Sequence, residues 1–251
     1  MNIISQTIAW LTNPLNWQGP NGIPTRMEEH IVLSGVSLLL AFAIAFPLGL
    51  FIGHTGRAAT LVVNVANLGR ALPSLAIIAI VLPITAAIDP QAGFTYYPTV
   101  VAMVVLGIPP ILVNTYSGLT GVDRETLEAG RGMGMKEGQL LRRVELPLSV
   151  PVIVAGVRSA AVQIVATATL GAIFGGPGLG RYLVDGYAQL DTGQIWGGVV
   201  LVAGLAIATE LFFSFLQQRL TSRGLRLEQE QERTGFAAGA DAPELEGAGA
   251  V

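Results

Sequence analysis

The sequence predicts an all-α integral membrane protein with about five transmembrane helices and a helix pair projecting into the cytoplasm. Three observations predict it. Half of the residues are apolar (51%) and only 12% are charged, with a mean hydropathy of +0.59, whereas a soluble domain carries about a quarter charged residues. The apolar residues gather into runs long enough to cross a hydrocarbon layer, which takes about 20 helical residues. Between the third and fourth runs lies a polar stretch, residues 120–148, rich in charge and glycine.

The same composition narrows the function. A net charge of −3 without a basic cluster argues against nucleic acid as a partner. The absence of cysteine removes disulfides, thiol catalysis and cysteine-ligated metal. His30 and His54 stand too far apart in sequence to suggest a histidine-based metal site. The first residues lack a basic segment followed by an apolar run and a small-residue cleavage site, so no removable signal peptide is expected.

The elements follow in order. Residues 1–27 carry Ile4, Ile8 and Leu11 at roughly helical spacing, with Trp10 and Trp17. Two readings stand here: a short helix lying in the outer interface, where tryptophan is favoured, and a disordered leader. The membrane domain, 28–220, opens with a first span at 31–53 that contains no charge and reaches roughly 34 Å at ~1.5 Å per residue. The second apolar run, 58–88, is interrupted at Arg70 and Pro73. It reads either as two helical pieces or as one kinked helix, because proline removes a backbone bond whose freed carbonyl needs a partner in lipid. The third span, 98–119, carries the Pro109-Pro110 pair; the fourth and fifth occupy 150–174 and 195–216. Small residues such as Gly156, Ala160, Ala161 and Ala168 permit close helix contact. From 221 to 251 the chain becomes acidic and then Gly/Ala-rich without apolar periodicity, the composition of a disordered tail.

Lysine and arginine placement sets the orientation. Ten of them fall in 54–57, in the 120–148 loop or after the fifth span, against Arg26 and Arg181 in the alternate connections. The N-terminus is therefore expected outside, and the 120–148 loop and C-terminus inside.

Charges within spans are costly, roughly 2.5–3.5 kcal/mol each at mid-membrane on insertion scales. Arg70 falls near mid-depth. Arg158 and Glu210 each lie about nine residues from the inner ends of their spans, so their depths match and an ion pair between spans four and five follows, structural or gating. Asn67, Asn114, Gln163 and Thr167 are further polar positions in apolar surroundings and candidate pathway residues.

The loop has its own logic. Asp123 is placed to cap a helix through about Gly130. The glycines at 130, 132 and 134 turn the chain, and a second helix starts near Lys136. Leu146-Pro147 is expected to stop that helix and start span four. The product is a rigid cytoplasmic knob able to convert a partner's movement into tilting of a span.

The pattern of this knob resembles the cytoplasmic signature of permease subunits in binding-protein-dependent ABC importers: Glu-Ala-Ala, three residues, Gly, nine residues, Ile, one residue, Leu-Pro. Glu128, Ala129, Gly134, Leu146 and Pro147 match at the family spacing; Gly130 and Val144 depart from it. The likeness extends over about 13–220. The runs at 64–74 (NVANLGRALPS), 108–116 (IPPILVNTY), 129–135 (AGRGMGM), 144–158 (VELPLSVPVIVAGVR) and 166–170 (ATATL) are similar to the osmoprotectant branch, which serves glycine betaine, carnitine, choline or proline betaine.

The resemblance implies a type I importer fold in a bacterial or archaeal cytoplasmic membrane, with ATP-binding subunits, an extracytoplasmic substrate-binding protein and a second permease subunit as partners. Coupling to the ATPase would rest on Glu128, Ala129, Gly130, Met133, Gly134, Lys136, Leu146 and Pro147. The external loop 174–194, with Tyr182, Asp185 and Tyr187 on a short helix, would meet the binding protein; the alternative is a plain interfacial helix. No phosphate-binding G-x-x-x-x-G-K-[ST] motif occurs, so no cofactor is expected on this chain and ATP and Mg belong to the partner ATPase. The run GGPGLG at 175–180 lacks the lysine and reads as a turn. The chain is thus expected to be no enzyme. A permease for another small solute such as an amino acid, an ion-driven secondary transporter and a membrane scaffold are the alternatives.

Overall fold

A computed structural model describes residues 2–57 and 59–221; the rest of the expected tail, 222–251, lies outside the described residues. Every regular element among them is helical. The chain begins with α1 (Ile3–Thr12) and a 3₁₀ turn (Pro14–Trp17), whose first amide N–H, that of Leu15, donates to the Asn13 side chain at 3.1 Å. Between the two N-terminal readings, the structure has the helix. Trp10 of α1 packs edge-on against Tyr182, ring centroids 5.0 Å apart.

The first long helix, α2 (Ile23–Thr55), has 33 residues and begins eight residues before the apolar run does. Its charged first turns, with Arg26, Glu28 and Glu29, look external in sequence, yet the helix simply continues past the apolar layer. At ~1.5 Å per residue it is about 50 Å long, well beyond a ~30 Å hydrocarbon core.

The second apolar run is two helices, α3 (Ala59–Ala71) and α4 (Ser74–Ile88). Pro73 occupies the N-cap of α4 with an extended backbone, and a residue preceding proline is pushed away from the helical region, which breaks the run at Leu72. The pieces flank different halves of α5 (Tyr96–Thr120). Val62, Val63 and Ala66 of α3 pack with Ile52 of α2 and with Ile111, Leu112 and Tyr116 of α5. Ile77 and Ile78 of α4 pack instead with Ala102 and Leu106, at the other half of α5. Among the described residues four helical stretches are long and apolar enough to cross a membrane alone; α3 and α4, with 13 and 15 residues, are shorter and lie along successive halves of α5.

Beyond α5 come α6 (Arg124–Gly132), α7 (Glu137–Leu140), a π turn (Leu141–Glu145) and α8 (Leu146–Ala168), which ends in a 3₁₀ turn (Thr169–Phe174). The expected stop at Leu146-Pro147 does not occur: residues 137–174 form one unbroken helical path of 38 residues. Proline carries no N–H to bond back along the helix. The chain absorbs this by widening its register just before Pro147, where the Leu146 N–H reaches five residues back to the Leu141 carbonyl. Two helices complete the fold, α9 (Gly180–Gln189) and α10 (Thr192–Leu220).

The core sits where α2, α5 and α8 cross, with α2 and α5 the most extensive pair. Gly156 of α8 is buried directly against α5, where a Cβ would lie 2.5 Å from that of Asn114. Ala160, Ala161 and Ala168 are buried along the same helix. These small residues permit the close approach that packing in lipid requires.

Candidate coupling site

The knob, residues 120–148, is built by local rules. The Asp123 carboxylate accepts from the Thr126 N–H at 3.2 Å and caps α6. The helix ends in a Schellman turn: the Gly134 N–H donates to the Arg131 carbonyl at 2.9 Å and the Met135 N–H to the Gly130 carbonyl at 3.2 Å. Gly134 takes a φ of +83°, a left-handed conformation that a side chain disfavours. The turn folds α7 back so that Leu140, fully buried, lies under Gly130, where a Cβ would come 2.7 Å from the Leu140 Cδ1. The outward face is left bare: Glu128, Ala129, Met133, Gly134 and Lys136 are exposed, Met133 to 73%. Pro147 is exposed and Leu146 half-buried at the root of α8. The predicted coupling residues thus share one protrusion, all but Gly130 and Leu146 accessible on it.

Behind that face lies a charged chain that sequence reasoning missed. The Arg131 guanidinium donates twice to the Glu137 carboxylate, at 3.0 and 3.3 Å, and holds its carboxyl below the usual range. Glu137 Oε2 in turn stands 3.8 Å from Nε2 of His54, in the last turn of α2. The Nδ1–H of His54 donates to Glu145 Oε2 at 2.6 Å. Glu145 is buried, 4% exposed, in the π turn. His54 and Glu145 are 91 residues apart; the common sign in the sequence is that each lies at the end of an apolar run, His54 after the first and Glu145 before the fourth.

Deeper in the layer, Arg158 Nε lies 3.4 Å from Glu210 Oε1, joining α8 to α10 as the matched depths anticipate. Both are partly exposed in the single chain, 30% and 47% by side chain. Asn114 donates its amide to the Pro110 carbonyl at 2.7 Å within α5 and is half-buried against α8. Gln163 and Thr167 are half-buried, one turn apart on α8. Five residues along a helix is about 140° around it, which puts Gln163 on a different side from Arg158. The structure therefore sets Gln163 apart from the Arg158–Glu210 pair around α8. Asn67 and Arg70 fall on α3, and their side chains lie outside the described part of the structure.

At the opposite end the run GGPGLG is a turn tied down by α2. The Gly178 N–H donates to Glu29 at 2.9 Å and the Leu179 N–H to His30 Nδ1 at 3.3 Å. The Nε2–H of buried His30 donates to the Val165 carbonyl at 2.9 Å, near the end of α8. These loop amides are taken up internally. On α9 the three candidate contact residues separate. Tyr182 is buried, donates its hydroxyl to the Asn21 carbonyl at 2.8 Å and has its phenol pushed up to about 12 by burial. Asp185 accepts from Arg181 at 2.6 Å. Tyr187 is 77% exposed. Of the three, Tyr182 holds α9 onto α2 and is not open to a partner.

Residues 45–227 match the family described as binding-protein-dependent transport system inner membrane component. The chain belongs to this family. The match spans most of the chain, and it is the family to which the knob motif points. The chain is 36% identical over 198 residues to the choline transport system permease protein OpuBB of Bacillus subtilis, covering 79% of this chain and 88% of that one. It is 35% identical, over the same shares, to the glycine betaine/carnitine/choline transport system permease protein OpuCB of that organism. Among solved structures, a chain of the MetNI methionine ABC transporter superposes with a TM-score of 0.70 over 84% of this chain and all of that one, at 21% identity. The fold is that of an ABC importer permease, and this inner membrane component is a multi-pass membrane protein.

Proposed function

We propose that the chain is the permease subunit of an ABC importer that carries a small osmoprotectant, of the glycine betaine, carnitine, choline or proline betaine class, into a bacterial or archaeal cell. The observation that carries the reading is the knob: an exposed face holding Glu128, Ala129 and Met133, continuous through the π turn with α8. In this reading a separate ATPase subunit binds ATP and Mg and receives the knob in a surface groove. Closure of two ATPases moves two knobs and shifts a pair of permeases between inward-open and outward-open states. Nucleotide shifts that balance only by its differential affinity for the two states.

The lysine and arginine distribution supports an inward-facing knob and an outward-facing α9, on which Tyr187 is the exposed candidate for contact with a substrate-loaded binding protein. The half-exposed Arg158–Glu210 pair at mid-span favours cover by a second permease or a water-filled path, since an ion pair facing lipid is costly. Cation recognition for a quaternary ammonium calls for aromatic faces, and the described spans offer few, so selectivity resides in the binding protein.

Reconstitution of the chain with its neighbouring ATPase and binding protein tests the proposal. Uptake that depends on both and is competed by betaine-type solutes is the expected result. Failure to retain any ATPase refutes the importer reading, and competition by amino acids alone refutes the osmoprotectant assignment.

A further inference from the structure

The knob is covalently continuous with α8, and through Gly121–Asp123 it follows directly on α5; α2 lies 65 residues upstream of its first turn and has no such link. Yet α2 forms the most extensive helix pair in the molecule, with α5, and runs the full depth of the layer. Any movement of the knob that leaves α2 behind would shear that interface. One short contact joins the end of α2 to the root of the knob. His54 sits two residues before Gly56, which ends α2 in the left-handed conformation, and its Nδ1–H meets Glu145 Oε2 at 2.6 Å.

We propose that His54 and Glu145 form a positioning tie that delivers the knob's displacement to α2, so that α2 and α8 move as one body. The inference rests on the importer reading and adds a residue pair to it. Several observations carry it. The Glu145 side chain is 5% exposed and that of His54 16%, so the contact is shielded from solvent competition. A carboxylate so enclosed is costly to strand, which keeps the tie closed through small displacements. Glu145 lies in the π turn, whose wider register rotates it relative to an α-helical continuation from α7. On the other side of the imidazole, Glu137 and Arg131 extend the chain of charges to α6, so both knob helices act on the same ring. A contiguous series of packed and hydrogen-bonded groups of this kind is the physical means by which displacement passes between elements.

The geometry gives a sharp test, because the contact uses Nδ1. An asparagine amide overlays Nδ1 of histidine, whereas a glutamine amide overlays Nε2. Three variants, His54→Asn, His54→Gln and His54→Ala, are reconstituted in liposomes with the ATPase and binding protein, and solute imported per ATP hydrolysed is measured alongside ATPase capture. His54→Asn is expected to stay within twofold of the parent ratio. His54→Gln and His54→Ala should fall at least fivefold while still capturing the ATPase, and His54→Ala combined with Glu145→Ala should fall no further than either alone. Equal ratios for His54→Asn and His54→Gln overturn the tie, as does loss of ATPase capture in His54→Gln, which would make the contact a scaffold for the knob itself. If the parent chain captures no ATPase, it is the importer reading that fails.

Discussion

Gly134 shows how a single residue fixes the knob. Its φ of +83° closes the Schellman turn between α6 and α7, and an L-residue held there costs roughly 1–2 kcal/mol. Gly134→Ala should therefore loosen the turn and weaken ATPase capture several-fold, measured by pull-down from detergent. Gly130 makes the opposite case. The family pattern has alanine there, and alanine favours a helix by up to ~1 kcal/mol over glycine. The atom a new Cβ would meet is the terminal Cδ1 of Leu140, at 2.7 Å, the mobile end of a flexible side chain. Gly130→Ala should leave capture intact, with a melting temperature unchanged or slightly raised; a clear drop would mean that Leu140 cannot yield. Glu128 is exposed on the bare face, and no salt bridge among the described residues involves it. Glu128→Lys should leave the fold unaltered and reduce stimulated hydrolysis at least tenfold.

At the scale of elements, legibility followed the locality of the physics. The two knob helices were readable because their signals are short-range: Asp123 at a cap and glycine at a turn. The four long apolar stretches were readable from length alone, whereas the division of the second run into α3 and α4 turned on Pro73. What the sequence concealed is non-local or degenerate. The start of α2 was hidden because a helix that leaves the apolar layer keeps its backbone bonds while its side chains become charged. The π turn was hidden because a shift in hydrogen-bond register leaves the order of residue types unchanged. The His54–Glu145 contact was hidden because nothing in either segment names the other. The Arg158–Glu210 contact was the exception, since opposite charges at matched depths in consecutive apolar spans point to each other. Each is partly exposed in the single chain, so the surface facing them decides the energy. Removal of one partner leaves a lone charge at a depth where insertion scales assign roughly 2.5–3.5 kcal/mol. Arg158→Ala and Glu210→Ala should each lower the amount of assembled protein in the membrane, and the double variant should recover part of it. A double variant no better than the additive expectation would mean that the two charges act separately.

At the scale of the whole molecule the open variable is the sign of the orientation. The order of crossings places the knob and α9 at opposite ends of the helices: α5 runs into the knob at Thr120, and α8 runs away from it toward the loop that precedes α9. Which end faces the cytoplasm rests on ten basic residues against two, a bias that acts through short loops near span ends. The chain itself supplies a clean background for a direct measurement, because none of its 251 residues is cysteine. Glu128→Cys and Tyr187→Cys place single thiols on the exposed faces of the knob and of α9, and neither side chain takes part in a described core cluster. In intact cells a membrane-impermeant maleimide should modify the thiol at position 187 and spare that at 128. In inverted vesicles the pattern should reverse. Adding the ATPase to those vesicles should then protect position 128 alone, because the same face that reports its side of the membrane is the one a motor would cover. Labelling of position 128 from outside the cell would place the knob where no cytoplasmic ATPase can reach it, and the coupling mechanism would fail whatever the family.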